Sequence, residues 1–169
     1  MLNVIDYIPD DLLTTPPTEL YTILDGPTLI HLQGEREGPL FVSVLLHGNE
    51  TTGYFAIQEL LKKYQGVALP RSLSIFFGNV QAAKHGVRRL DDQVDYNRVW
   101  PHSEFSPDAE ESKIMQQVVD EMKARNVFVS VDIHNNTGLN PHYACVNKLE
   151  NEFRSKYGRS KSHGPNRGL

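Results

Sequence analysis

The chain has 169 residues, of which 39% are hydrophobic and 22% charged, and its formal net charge is −4. This is the composition of an ordinary globular protein, long enough for one domain with a proper core. The acidic balance gives no sign of a nucleic-acid partner or an anionic membrane surface. Cys145 is the single cysteine, which excludes an intramolecular disulfide and favours a reducing, cytoplasmic compartment.

The first predicted elements are two short strands, residues 20–24 and 28–32, around an Asp-Gly turn. Before them, the N-terminal segment is acidic and lacks the basic start and apolar stretch of a signal peptide. Residues 40–46 are apolar except for Ser43, as expected of a central strand covered on both faces. Residues 51–64 carry apolar side chains near helical spacing, which predicts a helix.

Residues 73–77 form a further apolar segment that predicts a strand. Ser106 and Pro107 are expected to open the best helix of the chain, because serine caps helices and proline fits the first helical position. A strand over 127–133 follows, and one more is predicted over 142–146. The order of strands and helices predicts an α/β fold with a mostly parallel or mixed sheet flanked by helices. No apolar run approaches the roughly 18 residues needed to span a bilayer.

The last residues differ in composition from the rest of the chain. Residues 154–169 contain five basic residues, no acid, three glycines and one proline. They show no apolar period, which is typical of a solvated, disordered segment. We therefore predict one α/β domain over residues 1–153 and a basic tail over residues 154–169.

Polar residues that bind metals follow two of the predicted strands. His47 and Glu50 follow the strand 40–46, and His134 follows the strand 127–133. Ligands of parallel sheets bind beyond the carboxyl ends of the strands, so we expect these residues at one edge. Two histidines and a carboxylate are the ligands of a catalytic zinc ion that keeps one position open for water. The chemistry that follows is hydrolysis of an amide or an ester.

Each of these motifs also has an ordinary structural explanation. A His-x-x-Glu pair alone is a weak signal, and Glu50 would be favoured at a helix N-terminus by the helix dipole. That explanation does not account for His47. His134 lies in an Asn-rich turn, but Asp132 two residues before it would point to the same face of the strand. Orienting a ligand imidazole is one task for such an acid.

A cluster of arginines follows the strand 73–77. Arg88 and Arg89 come first, and Asn97 and Arg98 follow within the segment DDQVDYNRVW. A solvated charged loop is the ordinary explanation for such a segment. Arginine is also suited to bidentate recognition of carboxylates, and a zinc hydrolase needs a cation near the scissile carbonyl.

The remaining reactive residue types lack such a context. Cys145 lies in an apolar stretch and is expected to be a buried small hydrophobe. No Gly-x-Ser-x-Gly motif is present, so serine hydrolase chemistry has no support. The other histidines are expected at the surface or in loops: His31, His85, His102, His142 and His163.

The motifs HGNE, GNVQAAKHGVR, DYNRVW and DIHNNTG, in this order, resemble the aspartoacylase and succinylglutamate desuccinylase family, which belongs to the zinc carboxypeptidase superfamily. The resemblance covers roughly residues 40–147. It implies a zinc carboxypeptidase-like fold in which Zn²⁺ is bound by three residues, His47, Glu50 and His134.

The resemblance also implies roles for the residues around the metal. Arg88 would polarise the scissile carbonyl, with Arg89 as the neighbouring alternative. Asn97 and Arg98 would bind a carboxylate of the substrate. Asp95 would hold the free nitrogen of His47.

The function implied is hydrolysis of the amide bond of an N-acyl amino acid or a similar small substrate with a free carboxylate. A carboxypeptidase-like metallopeptidase is one alternative. The other is a truncated, catalytically weak metal-binding domain, because the family's catalytic glutamate lies well beyond the last histidine and precedes a β-rich C-terminal domain. After His134 the sequence offers only Glu150 and Glu152 as acids, so we expect the general base outside this sequence.

Overall fold

The computed structural model describes residues 1–135, except His102 and Glu104. Five strands and three helices are connected by loops and two short 3₁₀ turns. The strands are β1 (Asn3–Ile5), β2 (Thr28–Leu32), β3 (Leu40–Val44), β4 (Leu73–Phe77) and β5 (Val129–Asp132). The helices are α1 (Thr52–Lys63), α2 (Val80–Lys84) and α3 (Glu110–Ala124), and the 3₁₀ turns are Pro17–Thr22 and Tyr96–Arg98.

The five strands form one mixed sheet in the order β1-β2-β4-β3-β5. Strands β1 and β2 pair in parallel, as do β3 and β4 and also β3 and β5, whereas β2 and β4 are antiparallel. The α/β class predicted from the sequence is therefore confirmed. Because β3 and β5 are parallel neighbours, the loops that follow them leave the sheet at the same edge.

The sheet separates two apolar clusters, because successive side chains of a strand point to opposite faces. On one face, Val44 of β3 and Phe77 of β4 pack with the buried side of α1. On the other face, Phe41 and Phe76 pack with Met115 of α3. The two central strands are thus covered on both sides, as their mainly apolar sequences indicated.

The predicted strand 20–24 is wrong, since the chain there forms the 3₁₀ turn Pro17–Thr22. Proline is preorganised for the first position of a helix, and the buried pair Pro17 and Leu20 has the three-residue spacing of such a turn. The sequence prediction also missed β1, which has only three residues. A strand this short carries too little alternation to be recognised.

Helix α3 begins at Glu110, later than predicted, and Ser106 does not cap it. Ser106 instead has a left-handed φ of 46°, and its carbonyl oxygen accepts a hydrogen bond of 2.6 Å from the Ser112 hydroxyl. The helix N-terminus carries two acids in its first turn, Glu110 and Glu111, where the helix dipole favours negative charge.

The sequence suggested that His31 is a surface or loop histidine, and this prediction is wrong. It lies within β2 with 8% of its surface exposed, and its Nδ1 lies 2.8 Å from the Ser74 hydroxyl on β4. Its Nε2 lies 3.4 Å from Glu121 of α3 and has no hydrogen-bond partner among the described residues. Burial is the main cause that lowers the pKa of His31, and Arg125 lowers it further, against a smaller opposing effect of Glu121.

Several sequence predictions lie outside the described residues: the strand 142–146, Cys145, the basic tail 154–169, His102, His142 and His163. The boundary of the predicted domain at residue 153 stays a prediction for the same reason. His85 is exposed, as expected. Among the described residues, no helix is both long enough and apolar enough to cross a membrane.

Candidate metal centre

The loop after β3 is held tightly against the start of α2. A Cβ atom on Gly48 would lie 2.2 Å from the Ala83 backbone nitrogen, so only glycine fits this approach. The Gly48 amide donates a hydrogen bond of 3.1 Å to the Arg88 carbonyl oxygen. Asn79, at the end of β4, caps α2 by accepting a hydrogen bond from the Ala82 amide at 3.0 Å. The contacts of Gly48 fix the backbone directly after His47.

Three side chains meet at the edge of the sheet where β3 and β5 end. The Nδ1 atom of His47 lies 2.8 Å from Oε1 of Glu50, and the Nδ1 atom of His134 lies 2.7 Å from Oε2 of the same carboxylate. One ligand atom from each of the three residues lies within 4.8 Å of the others. His47 is buried, with 2% of its side chain exposed, whereas His134 lies at the rim with 29% exposed.

The outer nitrogen of each histidine faces its own carboxylate. His47 Nε2 lies 2.9 Å from Oδ1 of Asp95, and His134 Nε2 lies 2.7 Å from Oδ2 of Asp132. A carboxylate at Nε2 keeps a proton on that nitrogen, so a metal can replace the proton at Nδ1 and bind there. Both imidazoles are therefore oriented with Nδ1 toward the same point.

Hydrogen bonds among these side chains shift the pKa values of His134 and Asp95. The hydrogen bond with Asp132 is the main cause that raises the pKa of His134 to about 9, against partial burial, which lowers it. Partial burial raises the pKa of Asp95, but the hydrogen bonds from His47 and the Asn97 amide, together with the charges of His47 and Arg88, outweigh this effect, so the pKa lies below its usual value. Asp95 therefore stays an ionised acceptor at neutral pH.

Arg88 contacts the cluster directly. Its guanidinium donates to Oε1 of Glu50 at 3.1 Å and to Oδ2 of Asp95 at 3.3 Å. The side chain is half exposed, so its remaining donors face solvent. Arg89 instead donates to the backbone carbonyl oxygens of Leu90 and Gln93 at 3.3 and 3.0 Å. Of the two arginines, Arg88 is the one that reaches the candidate metal ligands.

Asn97 and Arg98 belong to the 3₁₀ turn that follows Asp95. The Asn97 amide donates to Oδ1 of Asp95 at 2.9 Å, which ties this turn to the outer side of His47. Both residues line a surface depression together with four further residues, Trp100, Pro101, Ser103 and Phe105. The depression thus combines a cation and an amide with apolar side chains.

Asn135, which was not predicted as a site residue, also contacts the candidate ligands. Its backbone N–H donates to Oε2 of Glu50 at 3.1 Å, and its side-chain oxygen accepts from the Thr52 amide at the start of α1, at 3.2 Å. The run of asparagines after His134 was the available signal, since asparagine satisfies backbone donors in turns. Asn135 holds Glu50 in place from the side opposite Arg88.

The chemistry of these donors fits zinc. Two imidazole nitrogens and one carboxylate oxygen are a usual ligand set of catalytic zinc, and each ligand histidine has a carboxylate at its other nitrogen, as is typical of metal-bound histidine. Among the described residues, no other group of three such donors comes together. His47, Glu50 and His134 could therefore hold one divalent ion.

Comparison with known proteins identifies a family. A family model described as the succinylglutamate desuccinylase/aspartoacylase catalytic domain matches residues 39–158. A solved structure that resembles the chain is the succinylglutamate desuccinylase of Chromobacterium violaceum, at 23% sequence identity and a TM-score of 0.45. That match covers 57% of this chain and 31% of the desuccinylase, so the chain spans about a third of that enzyme. A search of curated proteins found no match.

Proposed function

Because this chain belongs to the succinylglutamate desuccinylase/aspartoacylase family of catalytic domains, we propose that it forms the zinc centre of an N-acyl amino acid hydrolase. The observation that carries the proposal is the paired orientation of His47 and His134, whose Nδ1 atoms both face Glu50 while their Nε2 atoms face separate carboxylates. An exposed group of acids and histidines needs no such order, whereas a metal centre does.

The ligands of the proposed zinc ion are His47, Glu50 and His134. Held by these residues, zinc would supply a Lewis acid that lowers the pKa of a water molecule to about 7. Asp95 and Asp132 keep the ligand histidines in the tautomer that offers Nδ1. Since each of these carboxylates accepts a hydrogen bond from a histidine, we do not assign either of them as the general base.

Arg88 is the proposed electrophilic group. In the hydrolysis, a water oxygen bonds to the acyl carbon, the C–N bond breaks, and the amine leaves with a proton. Negative charge develops on the carbonyl oxygen in the transition state, and a positioned cation stabilises it. Arg88 lies 3.1 Å from a Glu50 oxygen and is half exposed, so its free donors can reach a substrate beside the metal.

Asn97 and Arg98 are the proposed binding site for the substrate carboxylate. Arginine recognises carboxylates through two parallel hydrogen bonds, and Arg98 is exposed beside the depression that both residues line. The substrate class follows from this pair, since a small acylated amino acid offers a free carboxylate close to its scissile amide.

The proposal is tested by metal analysis and by hydrolysis assays on the full chain. Wild type should bind one zinc ion, and His47→Ala and His134→Ala should each abolish stoichiometric binding, while His85→Ala at an exposed site should not. Release of free amino acid from N-succinyl and N-acetyl amino acids should depend on zinc. Zinc binding that survives His47→Ala would overturn the site, and turnover of peptides instead of N-acyl amino acids would favour a metallopeptidase.

A further inference from the structure

Ser43 is the polar residue in the otherwise apolar strand β3. It is 1% exposed, and a buried hydroxyl is costly unless it has a hydrogen-bond partner. Its register partner on the parallel strand β5 is Asp132, so the two side chains lie on the same face of the sheet. The Ser43 hydroxyl donates to Oδ1 of Asp132 at 2.8 Å.

This contact extends the metal centre into the sheet. Oδ2 of Asp132 faces Nε2 of His134 at 2.7 Å, and Nδ1 of His134 faces Glu50 at 2.7 Å. One oxygen of Asp132 is thus held by the sheet and the other by the histidine. A carboxylate fixed at both oxygens has a single orientation, and its hydrogen bond with Nε2 fixes the orientation of the imidazole.

We infer that Ser43 is a positioning residue for His134, acting through Asp132; this inference rests on the zinc centre proposed above. If the hydroxyl had a purely structural role, its loss would leave a buried acceptor without a hydrogen-bond partner. Asp132 is 31% exposed, so its carboxylate stays partly hydrated when the hydroxyl is removed. Loss of the hydroxyl therefore costs little stability, but it frees Asp132 to rotate and loosens the imidazole that it orients.

Ser74 offers a matched control for a Ser43→Ala variant. Both serines are 1% exposed on central strands, and the Ser74 hydroxyl lies 2.8 Å from Nδ1 of the buried His31. Ser74→Ala leaves that nitrogen without a partner and without access to water. It should lower the melting temperature at least as much as Ser43→Ala, yet leave the zinc affinity unchanged.

The experiment measures zinc affinity by competition with a chromophoric chelator and the visible spectrum of the Co²⁺-substituted protein. Ser43→Ala should weaken zinc binding by about 10-fold, the lower end of the range for groups that hydrogen-bond to metal ligands, and should alter the Co²⁺ bands. In an Asp132→Ala background the same change should have no further effect on affinity. Should Ser43→Ala not fold, Ser43→Cys, whose thiol is a weaker donor, takes its place.

The outcomes separate this inference from the proposed function. If Ser43→Ala keeps the wild-type zinc affinity while His47→Ala still abolishes binding, the role of Ser43 is wrong and the proposed zinc centre stands. An additional loss of affinity from Ser43→Ala in the Asp132→Ala background would also overturn it, because Ser43 would then act by another route. Stoichiometric zinc in His47→Ala would overturn the centre itself.

Discussion

Gly48→Ala should disable the metal centre without removing any ligand. An added Cβ would lie 2.2 Å from the Ala83 backbone nitrogen and 2.3 Å from the Ala82 carbonyl carbon. Both are backbone atoms at the start of α2, so no flexible side chain can move aside. The loop that carries His47 must shift instead.

The size of that shift follows from the contact distance. Real Cβ contacts stay above 3.0 Å, so the loop must move by about 0.8 Å from the 2.2 Å approach. Ligand geometry tolerates displacements of about 0.5 Å, so we expect zinc affinity to fall by about 10–100-fold, as when a partner of a ligand is lost. The overpacking should cost about 1–3 kcal/mol, which lowers the melting temperature by about 2–4 °C per kcal/mol in a chain of this size.

Gly26→Ala is the matched control. A Cβ at Gly26 would meet no heavy atom within 4 Å, so this variant should keep the zinc affinity and melting temperature of wild type. Chelator competition measures affinity, and circular dichroism follows unfolding with and without zinc. If Gly48→Ala binds zinc as tightly as Gly26→Ala, then the close packing of the loop on α2 does not position His47.

Two further predictions concern pH and catalysis. The pKa of His31 is lowered in the folded protein, so below pH 6.5 the unfolded chain binds a proton at His31 more readily than the folded protein does. The free energy of unfolding should therefore fall as the pH drops. In denaturant titrations of the zinc-free protein, this fall should be weaker for His31→Gln and the same as in wild type for the exposed His85→Gln. Under conditions of zinc-dependent turnover, Arg98→Ala should mainly raise KM and Arg88→Ala should mainly lower kcat. The reverse pattern in steady-state kinetics would mean that the two roles are exchanged.

The parts of the fold that were predictable from sequence have a strong local signal. Strands β3 and β4 are apolar apart from one serine each, and the helical spacing over residues 51–64 matches α1 within one residue at each end. The error at residues 20–24 arose because tyrosine, threonine and isoleucine favour a strand, and a segment of five residues is too short to distinguish a strand from a 3₁₀ turn. The start of α3 was misplaced because a Ser-Pro pair favours a turn as well as a helix cap.

In the candidate site too, residue pairs that are close in sequence were predictable, whereas a long-range contact was not. His47 and Glu50 are three residues apart, and Asp132 and His134 are two apart, so each pair is visible as a local pattern. The contact between Ser43 and Asp132 joins residues that are 89 apart, and it depends on β3 and β5 being parallel neighbours with this register. No local pattern encodes strand order, because the order follows from the packing of the whole sheet.

The backbone conformation of Leu45 could not be predicted from the sequence for a different reason. Its φ of 54° is left-handed, a conformation that costs a side chain other than glycine roughly 1–3 kcal/mol. The strain persists because the side chain is fully buried and the carbonyl oxygen accepts a 2.6 Å hydrogen bond from the Asn79 amide. Two residues later the chain reaches His47, whose position is thus set by packing on one side and by Gly48 on the other. The loop therefore holds His47 in place through the fold itself, so a metal would bind to a geometry that already exists.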